Sequence, residues 1–218
     1  MEPHFAWGAL HIMSEFKTSQ EEFWAGEFGD DYTARNRGVD WIASNTALFA
    51  KIFERVEPVR TVIEFGSNIG LNLQAIKHLL PDAEISAVEI NRNAIEELRG
   101  LRYVKVYPES ILDFSQDYTR EFVLVKGVLI HMNPASLPHV YDLLYRTSSR
   151  YICLAEYYNP TPVAIRYRGH ADKLFKRDFA GELLDRYKDL RLIDYGFVYH
   201  GDPKFPQDDL TWFLLEKK

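Results

Sequence analysis

The chain has 218 residues, of which 46% are hydrophobic, enough to bury a sizeable core within one domain. Its formal net charge of −6 argues against a broad nucleic-acid footprint, since phosphate contacts rely on clustered surplus Lys and Arg. No apolar stretch approaches the roughly twenty residues that span a bilayer, and no basic head with an apolar body marks a signal peptide, so a cytoplasmic protein without a membrane partner is expected.

Residues 1–12 carry no clear pattern and are set aside. Residues 20–36, QEEFWAGEFGDDYTARN, are too rich in aromatics for a solvated tail and too broken by glycine for one helix, and they read as a lid built on Trp24, Phe28 and Tyr32. Residues 41–56 have apolar side chains at helical spacing and end before Pro58. The run 61–65 suits a central strand covered on both faces. Gly66 and Gly70 then break it, allowing a sharp turn and the close approach of a ligand, and the residues after Gly70 return to helical spacing. Pro81 and Asp82 make a turn before a second strand at 84–90, whose end places Glu89 where a carboxylate accepts both hydroxyls of a ribose.

What the glycine loop lacks narrows the ligand. The dinucleotide fingerprint needs a third glycine where Asn68 stands, and the Gly-Lys-Ser/Thr of a P-loop is missing, so neither phosphate cradle is formed. Glu64, just ahead of the turn, repels a phosphate and suits an ammonium or sulfonium group.

Further along, Asn91 caps a helix running to about residue 99, and 102–107 is a third strand followed by Glu109, Ser110 and Ile111. A fourth strand at 121–125 leads through Lys126 and Gly127 to His131, placed to act as a general base or to orient an acceptor. A helix at 135–147 and a fifth strand at 150–156 come next. The single Cys153 lies within that strand as a core filler with no disulfide partner, which fits a reducing compartment. From Glu156 the chain leaves the sheet on the ligand side as a loop rich in tyrosine and positive charge: Tyr157, Tyr158, Arg166, Arg168, His170, Lys173, Lys176 and Arg177. Two last strands, 190–198 and 210–216, form an antiparallel hairpin at the sheet edge.

On Glu64, Gly66, Gly70 and Glu89 the chain resembles the class I methyltransferases that use S-adenosylmethionine, with the acidic residue, glycine turn and second-strand acid of their first motifs. The resemblance implies an α/β fold: a doubly wound, seven-stranded, mostly parallel sheet with a C-terminal antiparallel hairpin, spanning residues 40–218 behind an extension and lid at 1–39. It implies S-adenosylmethionine held by Glu64, Gly66, Ser67, Asn68, Gly70, Glu89 and Ile90. Glu109, Ser110 and Ile111 fall at the adenine, Lys126 and Gly127 face the transferred methyl, Tyr32 closes over the cofactor, and Arg35 or Arg37 meets its carboxylate. No metal is implied. One departure is the apolar run 122–125, where many members begin the fourth strand with Asp.

Residues 21–36, 126–134 and 157–181 more narrowly resemble the methylases associated with pseudaminic acid biosynthesis. That implies a small acidic acceptor, a nonulosonic sugar or its nucleotide-activated form, bound by Arg166, Arg168, His170 and Lys173 in a pocket lined by Tyr157 and Tyr158, with His131 as base or orienter. A second reading is an inactive S-adenosylmethionine-binding module serving as sensor or scaffold. A third, a nucleotide-dependent oxidoreductase, is disfavoured by Asn68.

Overall fold

The computed structural model describes residues 16–218, so the unpatterned residues 1–12 lie outside the described part of the chain. Strands β1 (Thr61–Phe65), β2 (Glu84–Val88), β3 (Val104–Tyr107), β4 (Arg120–Lys126) and β5 (Ser148–Glu156) follow the predicted runs closely. A separate hairpin is made of β6 (Val163–Tyr167) and β7 (His170–Lys176), and β8 (Leu190–Val198) and β9 (Leu210–Lys217) close the chain. The main sheet has the order β3-β2-β1-β4-β5-β9-β8. Its first five strands are parallel, and β9 enters antiparallel between β5 and β8.

The sheet separates two apolar layers. Inward residues of one face, among them Val62, Ile85, Phe122, Leu124 and Trp212, pack on α3 (Val39–Phe53) and α4 (Leu71–Leu79), with Leu98 of α5 (Arg92–Gly100). Alternate residues of the same strands, including Ile63, Phe65, Val123, Val125 and Ile152, pack on α6 (Leu137–Thr147) and α7 (Phe179–Arg186). Both faces of the central strands are therefore dry, which is why their sequences read as unbroken apolar runs rather than as alternation.

One segment departs from the sequence expectation. The region after Glu156, expected as a loop, folds into the β6–β7 hairpin and then into α7, a helix that the patterning of 178–189 did not reveal. Arg168 and Gly169 both take positive φ, 49° and 90°, the geometry of a tight turn matched to the twist of its strands. The hairpin escaped notice because β6 is exposed along most of its length and so lacks the in–out alternation that signals a half-buried strand. The glycine-broken N-terminal segment is two helices, α1 (Ser19–Ala25) and α2 (Glu27–Arg35), separated at Gly26; Thr18 and Glu21 form a reciprocal cap at the start of α1.

The two glycines of the β1 turn serve packing between chain segments. Gly66 has φ 72°, and a Cβ there would lie 2.5 Å from Cγ2 of Val128; Gly70 has φ 78°, and its Cβ would lie 2.8 Å from Cδ2 of Leu98. Close approach of the protein to itself thus requires glycine at both positions, and Gly66 also lines the cleft described below. Gly70→Ala is expected to destabilise the fold by about 1–3 kcal/mol, combining left-handed strain with overpacking, as read from the midpoint of urea unfolding.

Candidate functional site

The carboxyl ends of β1, β2 and β4 open into one cleft, roofed by α1 and α2. The geometry begins at Glu89. Its Oε1 accepts hydrogen bonds from the backbone N–H of Ile90 (2.9 Å) and Asn91 (2.8 Å), and its Oε2 accepts from the N–H of Asn68 (2.7 Å). One carboxylate thus ties the β1 turn to the end of β2 while keeping spare lone-pair capacity on Oε2. Burial pushes its pKa upward against those three donors.

Glu64 lies deeper, at the end of β1. Its Oε1 accepts from Nδ2 of Asn72 at 2.6 Å, while Oε2 is buried with no hydrogen-bond partner among the described residues. Burial pushes its pKa up to about 8, and Lys126, whose own pKa burial pushes down, partly opposes that rise. An unpartnered carboxylate oxygen sealed from water carries a desolvation cost that a hydrogen-bond donor on a ligand would relieve.

The turn after β4 carries His131. Glu156, at the end of β5, accepts hydrogen bonds from the N–H groups of Val128 (3.0 Å), Leu129 (2.9 Å) and Ile130 (3.4 Å), clamping this 3₁₀ turn (Leu129–His131) onto the sheet. Nδ1 of His131 lies 2.6 Å from the carbonyl oxygen of Lys173, a pairing in which the ring N–H donates and Nε2 is left as an acceptor. Burial against Trp24 (ring centroids 4.6 Å) and Tyr167 (4.9 Å) pushes its pKa down to about 4, so the imidazole is neutral at physiological pH.

The roof is built from both irregular segments. Phe23 stacks on Phe28 at 4.1 Å, and Trp24 meets Phe28 and Tyr32 edge-on. Phe28 in turn meets Tyr167 and His170 of the hairpin. Polar bonds pin this layer down: Thr33 Oγ1 accepts from Asn68, Asp30 accepts from Asn91 at 2.8 Å, Glu21 pairs with the Ser110 hydroxyl, and Lys173 donates to the Ser19 carbonyl at 2.6 Å.

Of the expected cofactor residues, Gly66, Ser67, Asn68, Glu89, Ile90, Glu109, Ser110, Ile111, Lys126, Gly127 and Tyr32 line the cleft, together with His131 and Trp24. Glu64 sits just behind the wall, bonded to the lining residue Asn72. Arg37 is elsewhere, in an exposed ion pair with Glu97 at 2.9 Å, whereas Arg35 lies over the rings of Phe28 and Tyr32. Tyr157 packs beside the core under the hairpin, and Tyr158 is exposed against Phe213. His170 and Lys173 are occupied in building the roof, Arg166 is exposed on the hairpin, and Arg168 stands at its tip beside Tyr167.

Several lining residues were not legible in the sequence: Glu21, Asn45, Asn72 and Asp208. Asn72 sits one turn into α4, where a polar residue on a helix following a glycine turn is a usable signal. Asn45 and Asp208 come from α3 and from the loop before β9, and only the fold brings them to the cleft.

No protein-family model matches the chain, and no curated protein matches it. Solved structures do. The 1,6-didemethyltoxoflavin-N1-methyltransferase of Burkholderia thailandensis, with 1,6-didemethyltoxoflavin and S-adenosylhomocysteine bound, superposes with a TM-score of 0.67 at 12% identity, covering 91% of this chain and 87% of its own. A plantazolicin methyltransferase in complex with a pentazolic analogue and S-adenosylhomocysteine gives 0.60 at 12% identity, covering 91% and 94%. A glycopeptide N-methyltransferase complexed with sinefungin gives 0.58 at 12% identity, covering 80% and 94%. The fold is that of the class I methyltransferases.

The buried imidazole gives this site a pH signature. Below the ordinary histidine pKa of 6.5 the unfolded chain takes up a proton that folded His131 refuses until about pH 4, so the site's stability is intact above that window and falls as pH drops through it. Between about pH 7 and about pH 5 the wild type is expected to lose about 2 kcal/mol more unfolding free energy than His131→Phe, read from urea titrations of both proteins. Glu64 and Glu156, whose raised pKa values act in the opposite sense, are common to both proteins and cancel in the difference.

Proposed function

We propose that this chain transfers a methyl group from S-adenosylmethionine to a small acceptor of the acidic-sugar class. The observation that carries the reading is the buried Oε2 of Glu64, unpartnered among the described residues, just behind the wall of a cleft that its partner Asn72 and Glu89 both line. A ligand with a cation at one end and a ribose diol in the middle satisfies both carboxylates. When bound, S-adenosylmethionine supplies an electrophilic methyl group on a sulfonium.

The rest falls to residues of the chain. Glu64 and Asn72 hold the ammonium, and because burial raises Glu64 to about 8, binding a cation draws a proton off it. Glu89 accepts from the ribose hydroxyls, and the loop of Glu109, Ser110 and Ile111 borders the adenine. The aromatic roof of Trp24, Phe28 and Tyr32 excludes water. Nε2 of His131 accepts a hydrogen bond from the acceptor hydroxyl and orients its oxygen. As that oxygen gains its carbon bond its proton becomes acidic enough to pass even to an imidazole of low basicity. Positioning, more than base strength, is what the site contributes.

For the acceptor, the fields of the cations Arg35 and Arg168 reach Tyr32 at the roof, and Asp208 lines the same cleft. An acidic sugar offers a carboxylate to the first two and hydroxyls to the third, in line with the resemblance to methylases associated with pseudaminic acid biosynthesis. Of the four basic residues first considered for this role, Arg168 keeps it, while His170 and Lys173 belong to the roof. A cytoplasmic setting suits the buried Cys153, whose thiol burial pushes up to about 12 and renders inert.

Calorimetry with S-adenosylmethionine and with S-adenosylhomocysteine tests the reading. Saturable heat is expected with both, and silence with both overturns it. Glu64→Gln is expected to weaken binding of each at least about tenfold, and to abolish the proton release that appears as a buffer-dependent enthalpy. In assays with labelled cofactor and a panel of acidic and neutral sugar nucleotides, methyl transfer to an acidic member is expected. His131→Ala is expected to lower kcat about 100-fold while binding of S-adenosylmethionine is retained. Binding without transfer to any member would assign the chain to the sensor role.

A further inference from the structure

The two edges of the main sheet are treated differently. The β3 edge is four residues long and guarded by charge: Lys105 pairs with Asp117 at 2.8 Å, and Arg120 donates to the Tyr107 hydroxyl at 2.6 Å. The β8 edge is nine residues long and carries neither lysine nor proline. Of the usual protections of an edge strand, β8 lacks short length and proline, and its bulge between Leu192 and Asp194 and its charges Arg191 and Asp194 lie in its first half, leaving residues 195–198 without such protection.

In their place β8 presents an aromatic stripe. Tyr195 and Phe197 alternate along the strand and Tyr199 follows directly, so the three share one face, and they are 64%, 57% and 52% exposed. Leu192, opposite Leu215 in register, lies on the same face and is also exposed. Phe213 of β9 stacks on Tyr195 at 6.2 Å and touches the exposed Tyr158 at 5.9 Å, making the stripe continuous. On this side of the sheet α7 packs on β5 and β8, where Leu190 joins its apolar layer, and leaves the remainder of β8 bare. The other face of the same strands is filled: the site of a Cβ on Gly196 is occupied by the Trp212 ring at 2.7 Å.

We propose that this stripe is a homodimer interface, in which a second copy of the chain lays its own β8 stripe against it about a twofold axis. The area supports that occupant. At about 200 Å² for a whole aromatic side chain, the exposed fractions amount to about 500 Å² of mostly apolar surface per copy. Two copies together bury about 1,000 Å², the threshold for a biological interface, and the patch is in the size range that is often functional on a protein surface. A twofold contact needs one self-complementary patch, and a stripe of flat rings repeating every second residue is its own complement. The charged residues of β8 itself are paired: Asp194 at the bulge with Arg55 at 3.1 Å, and Arg191 with Glu216.

Sedimentation velocity over micromolar concentrations tests this directly. The wild type is expected at twice the chain mass of 25.4 kDa, and the double variant Tyr195→Glu, Phe197→Glu at the single mass with an unchanged far-UV spectrum. If that variant does not fold, Tyr195→Ser with Phe197→Ser serves in its place, with a dissociation constant expected to rise at least about 100-fold. A wild type that is monomeric throughout overturns the proposal. So does a dimer indifferent to both variants, a stripe whose mutation affects only acceptor turnover, or one covered by residues 1–15 of the same chain, seen as a monomer that dimerises only when they are deleted.

Discussion

The structure depends on one carboxylate. Glu89 accepts from the backbone N–H groups of Asn68, Ile90 and Asn91, and in doing so locks the turn after β1 to the end of β2. Asn68 takes φ 46°, a conformation unfavourable for a residue with a side chain, and the Glu89 bond is among the contacts that hold it there. Once the turn is set, the Asn68 amide reaches Thr33 of α2, and Asn91, held by the same carboxylate, reaches Asp30. The position of the roof is thus a consequence of the position of the floor.

That roof joins two parts of the chain separated by more than a hundred residues. Helices α1 and α2 supply Phe23, Trp24, Phe28 and Tyr32, and the β6–β7 hairpin supplies Tyr167 and His170, all in ring contact with one another or with His131. Neither part has a core of its own, since the hairpin is largely exposed and the helices are short. Each is stabilised by covering the other and the cleft, and the polar ties from Gln20 to the Asp172 carbonyl and from Lys173 to Ser19 fix their mutual register.

Beneath the roof, the protein maintains ionisable groups in an environment that disfavours charge, Glu89 among them. Glu64 and Glu156 are raised, while Lys126 and His131 are lowered, each with burial as the leading cause. Such groups cost folding free energy and cluster where chemistry or binding uses them. Glu156 accepts hydrogen bonds from three backbone N–H groups, whereas Glu64 keeps one buried oxygen without a partner among the described residues.

The sequence alone was sufficient for the sheet. Runs such as 61–65 and 122–125 suit strands buried on both faces, and the placing of Glu64 and Glu89 at successive strand ends follows from the period of the chain, so the two carboxylates at the cleft were legible. What it did not disclose were features whose determinants are distant in the chain. The β6–β7 hairpin has no alternation because its support is the N-terminal helices, and the contacts of Lys173 with Ser19 and of His170 with Phe23 join segments far apart in the chain. Arg37 lies within two residues of Arg35, yet one pairs with Glu97 on α5 and the other covers Tyr32, a distinction set by the direction in which α2 ends. Periodicity records which face of an element is dry; which partner dries it, and so which polar groups remain free to meet a ligand, is decided only when the chain closes on itself.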